Sequence, residues 1–162
     1  MKGYDKMNKT LVAYFSATGT TEKVAKVIAT NINADIFEII PKEKYTNSDL
    51  NWNDANSRTT HEKENLNIRP EIASKLENID EYNVIFLGFP IWWYKAPNII
   101  YTFLESYDFT NKTIIPFCTS GGTGISETVN YLKNDFPNLK FKSGKRISGY
   151  IDKEEIINWV NN

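Results

Sequence analysis

The chain has 162 residues, 19 basic against 20 acidic side chains, a formal net charge of −1 and 41% hydrophobic residues. That length suits one domain of ~100–200 residues, and the near-neutral balance excludes the broad basic face of a nucleic-acid binder. No apolar run approaches the ~20 residues of a membrane span, and the single cysteine, Cys118, excludes an internal disulfide and fits a reducing, cytoplasmic setting.

Residues 1–9 are polar and lack the apolar core of a secretory signal, so they read as a short flexible extension before one domain over 10–162. Residues 11–15 form an apolar strand, followed by a hydroxyl-rich turn and a helix with Val24, Val27 and Ile28 at helical spacing. A second strand is expected over 35–40, ended by Pro41. The polar stretch 41–70 is too long for a structureless loop in a compact domain. It predicts a helix over 48–64, with Ser48 as N-cap, Arg58 and Glu62 at i,i+4 spacing, and Trp52 pinning it to the body. That helix is either a cover over a ligand site or a peripheral surface element. Beyond it, strands over 84–88 and 114–118 alternate with helices over 96–106 and 126–134. A last strand over 139–141 and 147–150, broken near Ser143 and Gly144, precedes a helix over 151–160. The alternation predicts a doubly wound α/β three-layer sandwich around a five-stranded parallel sheet.

Three loops carry the chemistry, because loops at the carboxyl ends of strands gather where α/β sheets bind ligands. The first holds Ser16, Ala17, Thr18, Gly19, Thr20 and Thr21. Four hydroxyls and a glycine at a helix N-terminus make a neutral anion cradle, suited to a terminal phosphate. It lacks the lysine of a triphosphate loop and the three glycines of a dinucleotide loop. The plain alternative is a helix capped by Thr18 or Thr20. The second loop, with Pro90, Ile91, Trp92, Trp93 and Tyr94, offers large flat rings; the third, with Thr119, Ser120, Gly121, Gly122 and Gly124, offers free backbone amides. The counterpart of such a set is a phosphorylated planar ring. His61 lies in a polar stretch and Cys118 ends a buried strand, so one reads as a surface residue and the other as core filler. With a single histidine and a single cysteine there is no cluster of metal-ligand spacing.

With these loops on view, the chain resembles the flavodoxins, specifically short FMN-binding members with a P-x-W-W loop at Pro90, Trp92 and Trp93. The resemblance implies the strand order 2-1-3-4-5 and non-covalent FMN. It places the phosphate at Ser16 to Thr21, the isoalloxazine against Trp92 or Trp93 with Tyr94 at an edge or the other face, and the ring's pyrimidine side at Thr119 to Gly122. No side chain is required as acid, base or nucleophile, since the flavin carries the redox chemistry. Two activities fit: electron transfer between redox partner proteins, or NAD(P)H-dependent reduction of a quinone or other small molecule. Either implies a monomer or weak dimer without nucleic-acid or membrane partners. Many relatives carry glycine where Tyr94 stands, and a Cβ there disfavours a positive φ, so the peptide beside the ring is expected to resist turning. The near-neutral charge departs from the acidic balance typical of flavodoxin carriers. Lys140, Lys142, Lys145 and Arg146 read as a solvated strand edge.

Overall fold

Uninterrupted apolar runs become strands buried on both faces, as parallel sheets require. The computed structural model describes residues 9–120, 122–147 and 153–161. Its strands are β1 (Lys9–Tyr14), β2 (Asp35–Glu38), β3 (Tyr82–Pro90), β4 (Thr113–Thr119), β5 (Lys140–Phe141) and β6 (Lys145–Ile147). All pair in parallel in the order β2-β1-β3-β4-β5, with β6 also on β4. This is the expected strand order.

The expected break in the last strand has a geometric cause. Ile114 pairs with Phe141 and Phe117 with Lys145, so the edge strand carries one more residue than β4 over the same span. Gly144 lies in that bulge, where a Cβ would sit 2.7 Å from the Pro116 carbonyl oxygen. The remainder of that expected strand, 148–150, lies outside the described residues.

Side chains alternate across the sheet. Leu11, Ala13, Ile85, Leu87 and Phe89 face one layer, formed by α3 (Asn98–Ser106) and α4 (Ser126–Asp135) through Ile99, Ile100, Phe103, Val129 and Leu132. Val12, Tyr14, Phe86 and Phe117 face the other, formed by α1 (Thr20–Ile32) and α5 (Lys153–Val160) through Val24, Ala25, Ile28 and Ile156. Residues 151–152 of the expected last helix are likewise not described.

The stretch 41–70 differs from its expected form. The helix there, α2, covers only Arg58–Glu64, and Ser57, not Ser48, caps it by accepting from the Thr60 amide. Asn51 and Asp54 explain the shortening, since their side chains accept from the Asn53 and Asn56 amides and offer the backbone turns in place of a helix. Trp52 does not pin the segment; it is 68% exposed. Tyr45 does so, packing 5.6 Å from Phe15 and 5.3 Å from Trp92 between ring centroids. Arg58 reaches Glu62 at 3.0 Å, the predicted i,i+4 pair, and lies 3.7 Å above the Tyr45 ring. Among the described residues no helix is long and apolar enough to cross a membrane.

Candidate functional site

The loops after β1, β3 and β4 emerge side by side, because those strands are neighbours in the sheet. Gly19 occupies the cap position of α1 with φ +96°, and no side chain caps the helix. The plain alternative for this turn, a Thr18 or Thr20 cap, is therefore not the one adopted. Ser16 Oγ accepts from the Gly19 amide at 3.0 Å, which folds the turn and leaves the Ser16 hydroxyl proton free to donate. The amides of Thr20, Thr21 and Glu22 have no acceptor within the helix and open toward the strand end. Lys26 is occupied by Glu22 at 2.8 Å and Lys23 is exposed, so the donors at this turn are neutral.

Thr21 and Thr119 meet across 98 positions, hydroxyl to hydroxyl at 2.7 Å, in a buried contact. One hydroxyl donates to the other, and the second proton remains for a ligand. The first and third loops, expected to serve opposite ends of a cofactor, are thus tied together at their base. Ser120 donates to the Thr123 carbonyl at 2.6 Å and closes its own loop. Gly122 and Gly124 are exposed, with nothing in the protein within 4 Å of a Cβ placed on them. Gly121 lies outside the described residues.

The second loop makes a two-residue hairpin turn: Trp92 and Lys95 exchange backbone hydrogen bonds at 3.0 and 3.1 Å. The residues between them, Trp93 and Tyr94, have φ of 50° and 68°. That is the left-handed pair of a type I′ turn, a place ordinarily filled by asparagine and glycine. Tyr94 thus takes the positive φ that its Cβ disfavours. Surrounding contacts hold the turn: Thr128 Oγ1 donates to the Tyr94 carbonyl at 2.7 Å, and the Lys63 ammonium lies 4.9 Å from the Trp93 ring centre. Trp92 stands edge-on to Phe15 at 5.7 Å, half-buried, while the Tyr94 side chain is exposed.

These elements enclose a cavity of about 500 Å³, lined by Ala17, Thr18 and Thr21 from the first loop, Pro90, Ile91, Trp92 and Trp93 from the second, and Thr119 from the third. Its volume falls in the ~300–1,000 Å³ range of pockets that hold a whole small ligand. Of the predicted residues, Ser16, Gly19, Thr20, Tyr94, Ser120, Gly122 and Gly124 shape the loops without lining this space. Three further lining residues, Leu50, Trp52 and Thr59, come from the 41–70 stretch. The isolated apolar Leu50 and Trp52 in a polar run were the sequence signal for them; Thr59 had none.

Among the described residues, no ionisable side chain lines the cavity. Burial, with only a small opposing effect of Arg146, pushes the Cys118 thiol up to about 12, so it stays neutral core filler. Burial and the hydrogen bond to Glu62 push the Tyr45 hydroxyl far above its ordinary value. Among the described residues no group of three or more histidine, cysteine or acidic side chains could hold a metal ion.

The geometry defines a class: a doubly wound α/β protein with a mostly uncharged ligand cavity at the carboxyl edge of its sheet. A sequence profile of the flavodoxin family matches residues 9–162, and the chain belongs to that family. Its fold is similar to solved structures of two proteins, each described as a "putative flavoprotein". The one from Bacteroides eggerthii DSM 20697 is 43% identical, over 94% of this chain and 96% of that one, with TM-score 0.90. The one from Bacteroides uniformis ATCC 8492 is 44% identical, over 96% and 99%, with TM-score 0.92. A flavoprotein from Lactobacillus acidophilus NCFM, solved in complex with FMN, shares the fold at 24% identity over 94% and 99%, with TM-score 0.72. Among curated proteins there is no match.

Proposed function

We propose that the protein binds FMN non-covalently in this cavity and transfers electrons through it. The observation that carries this reading is the continuity of one space from the neutral donor turn at Thr18 and Thr21 to the flat rings of Trp92 and Trp93. A phosphate monoester suits the first end, where unpaired amides and the positive end of a 13-residue helix converge. A conjugated ring suits the second. Bound there, FMN supplies the electron-accepting and electron-donating ring. Thr18 and Thr21 hold the phosphate, helped by the free amides at the start of the helix, on a turn that Ser16 and Gly19 fold. Trp92, braced by Phe15 and Tyr45, and Trp93, held by the turn, orient the ring and exclude water. Thr119 and Ser120, with Gly122 and Gly124, give the third loop its reach toward the ring's polar edge, and Tyr94 guards the outer side.

Both electron transfer to a protein partner and reduction of a small quinone-like molecule fit this chemistry. The second reading gains support from one feature, the wall of Leu50, Trp52 and Thr59, which narrows the approach to the ring cavity. A cytoplasmic location accords with the lone buried cysteine. The visible absorption spectrum of the purified protein tests the proposal. An oxidised-flavin spectrum that disappears on denaturation and filtration, with FMN in the filtrate, is expected; a colourless protein that takes up no added FMN refutes it.

A further inference from the structure

The cavity has a fourth side that does not come from a strand end. Leu50 and Trp52 belong to the loop before α2, and that loop is fastened, not loose. The Thr59 amide and hydroxyl both donate to the Asp49 carbonyl, at 3.1 and 2.8 Å. Thr60 Oγ1 donates to the Asp54 carbonyl at 2.8 Å, and the Leu50 amide donates to the Thr46 carbonyl at 3.1 Å. Asn98 then ties the far end of α2 to α3, its side-chain amide donating to the carbonyls of Glu62, Asn65 and Ile68. The wall is preformed.

Its chemistry is one-sided. None of the eleven residues lining the cavity is charged: the polar ones are threonines, with the Trp indole N–H groups, and the others are aliphatic or proline. Arg58 and Glu62, the charges nearest in sequence to Thr59, pair with one another and with Tyr45, away from the space. On the Leu50 and Trp52 side, away from the Thr18 and Thr21 hydroxyls, a charged substrate would lose its hydration without a partner, at a cost that an uncharged flat molecule escapes. The loops after β1, β3 and β4 supply the groups the cofactor needs. Trp52 lines the same space from another segment and is 68% exposed, so it lies at the solvent rim of the cavity.

Resting on the FMN reading, we infer that Leu50 and Trp52 form a subsite for an uncharged planar acceptor of the quinone class, stacked between the cofactor ring and the Trp52 indole. A quinone seated there takes two electrons and two protons from the reduced cofactor and leaves as the hydroquinone. A hydride donor of the nicotinamide class, together with one proton, would resupply the two electrons and two protons that the quinone takes.

The test uses the FMN-loaded protein, reduced anaerobically with dithionite and mixed rapidly with 1,4-naphthoquinone while the oxidised-flavin absorbance returns. The rate is expected to saturate with quinone concentration. In Trp52→Ala the half-saturating concentration rises about tenfold, the range of one lost ring stack, while the FMN dissociation constant moves less than threefold. Leu50→Ala shifts the same quantity in the same direction. Three results overturn the subsite: a rate linear in quinone concentration for the parent, an FMN affinity that falls in step with the quinone's in Trp52→Ala, or no change in either. An apoprotein that takes up no FMN fails earlier, at loading, and refutes the cofactor reading itself.

Discussion

Asn98 is the side chain that ties the end of α2 to α3, and its removal has a calculable effect. It is 8% exposed at the start of α3, and its amide nitrogen lies 3.0, 3.3 and 3.1 Å from the carbonyls of Glu62, Asn65 and Ile68. Those carbonyls belong to the end of α2 and the chain just beyond it, where a helix leaves acceptors unpaired. Two amide protons serve three acceptors, so Asn98→Ala removes about two full hydrogen bonds, each worth ~0.5–1.5 kcal/mol net. Partial rehydration of the freed carbonyls returns some of that, and the expected loss is ~2 kcal/mol. For a domain of this size that corresponds to a fall in Tm of ~4–8 °C. Asn98→Asp should be worse, since a carboxylate would face three carbonyl oxygens. Urea unfolding gives the magnitude, and hydrogen exchange gives the place: amides of α2 and the following turn should lose protection before those of the central strands. A loss under ~0.5 kcal/mol, or an Asp variant no less stable than the Ala one, contradicts the anchoring of α2 by Asn98.

Tyr94→Gly should stabilise the fold by about 1 kcal/mol, because a left-handed non-glycine residue costs ~1–2 kcal/mol and the exposed ring contributes little packing; a thermal melt no higher than the parent's contradicts the strain. Trp93→Ala should weaken FMN binding with little change in unfolding midpoint. Trp92→Ala should lower both, since Trp92 also packs on Phe15 and Tyr45; equal FMN affinity in both variants and the parent removes the rings from the site. Alkaline stability follows from the tyrosines. Burial, with help from neighbouring carboxylates, pushes Tyr14 and Tyr82 up to about 12 and Tyr45 and Tyr101 further. The folded state therefore keeps protons that the unfolded chain releases near pH ~10, so stability is full below ~10 and falls as pH rises toward the folded values. A urea midpoint that stays flat above pH ~10 contradicts this.

The central sheet was legible because buried parallel strands are continuous apolar runs, and β3 and β4 read as little else. The donor turn was legible because hydroxyls and a glycine between strand and helix have few other uses. Three features were not. The helix expected over 48–64 is cut back to its second half by Asn51 and Asp54, whose side-chain turns compete locally with the helix. A large apolar side chain in a polar run is normally buried, which points Trp52 to packing; only the fold puts it at a cavity rim. The type I′ turn at Trp93 and Tyr94 has no sequence signature, since it rests on Thr128, 34 positions from Tyr94, in place of glycine or asparagine. The chain's own turn chemistry is hidden wherever tertiary contacts override it.

The most direct test of the account is a titration of the apoprotein with FMN and with riboflavin, followed by quenching of flavin fluorescence. The two ligands differ only in the phosphate, which is expected on the neutral donors of the turn from Ser16 to Thr21. Hydrogen bonds to a charged group contribute ~1.5–3 kcal/mol each, so two or more should make FMN tighter by at least ~100-fold. Binding of both ligands with equal affinity would mean that this turn holds no phosphate, and the cofactor assignment built on it would fall.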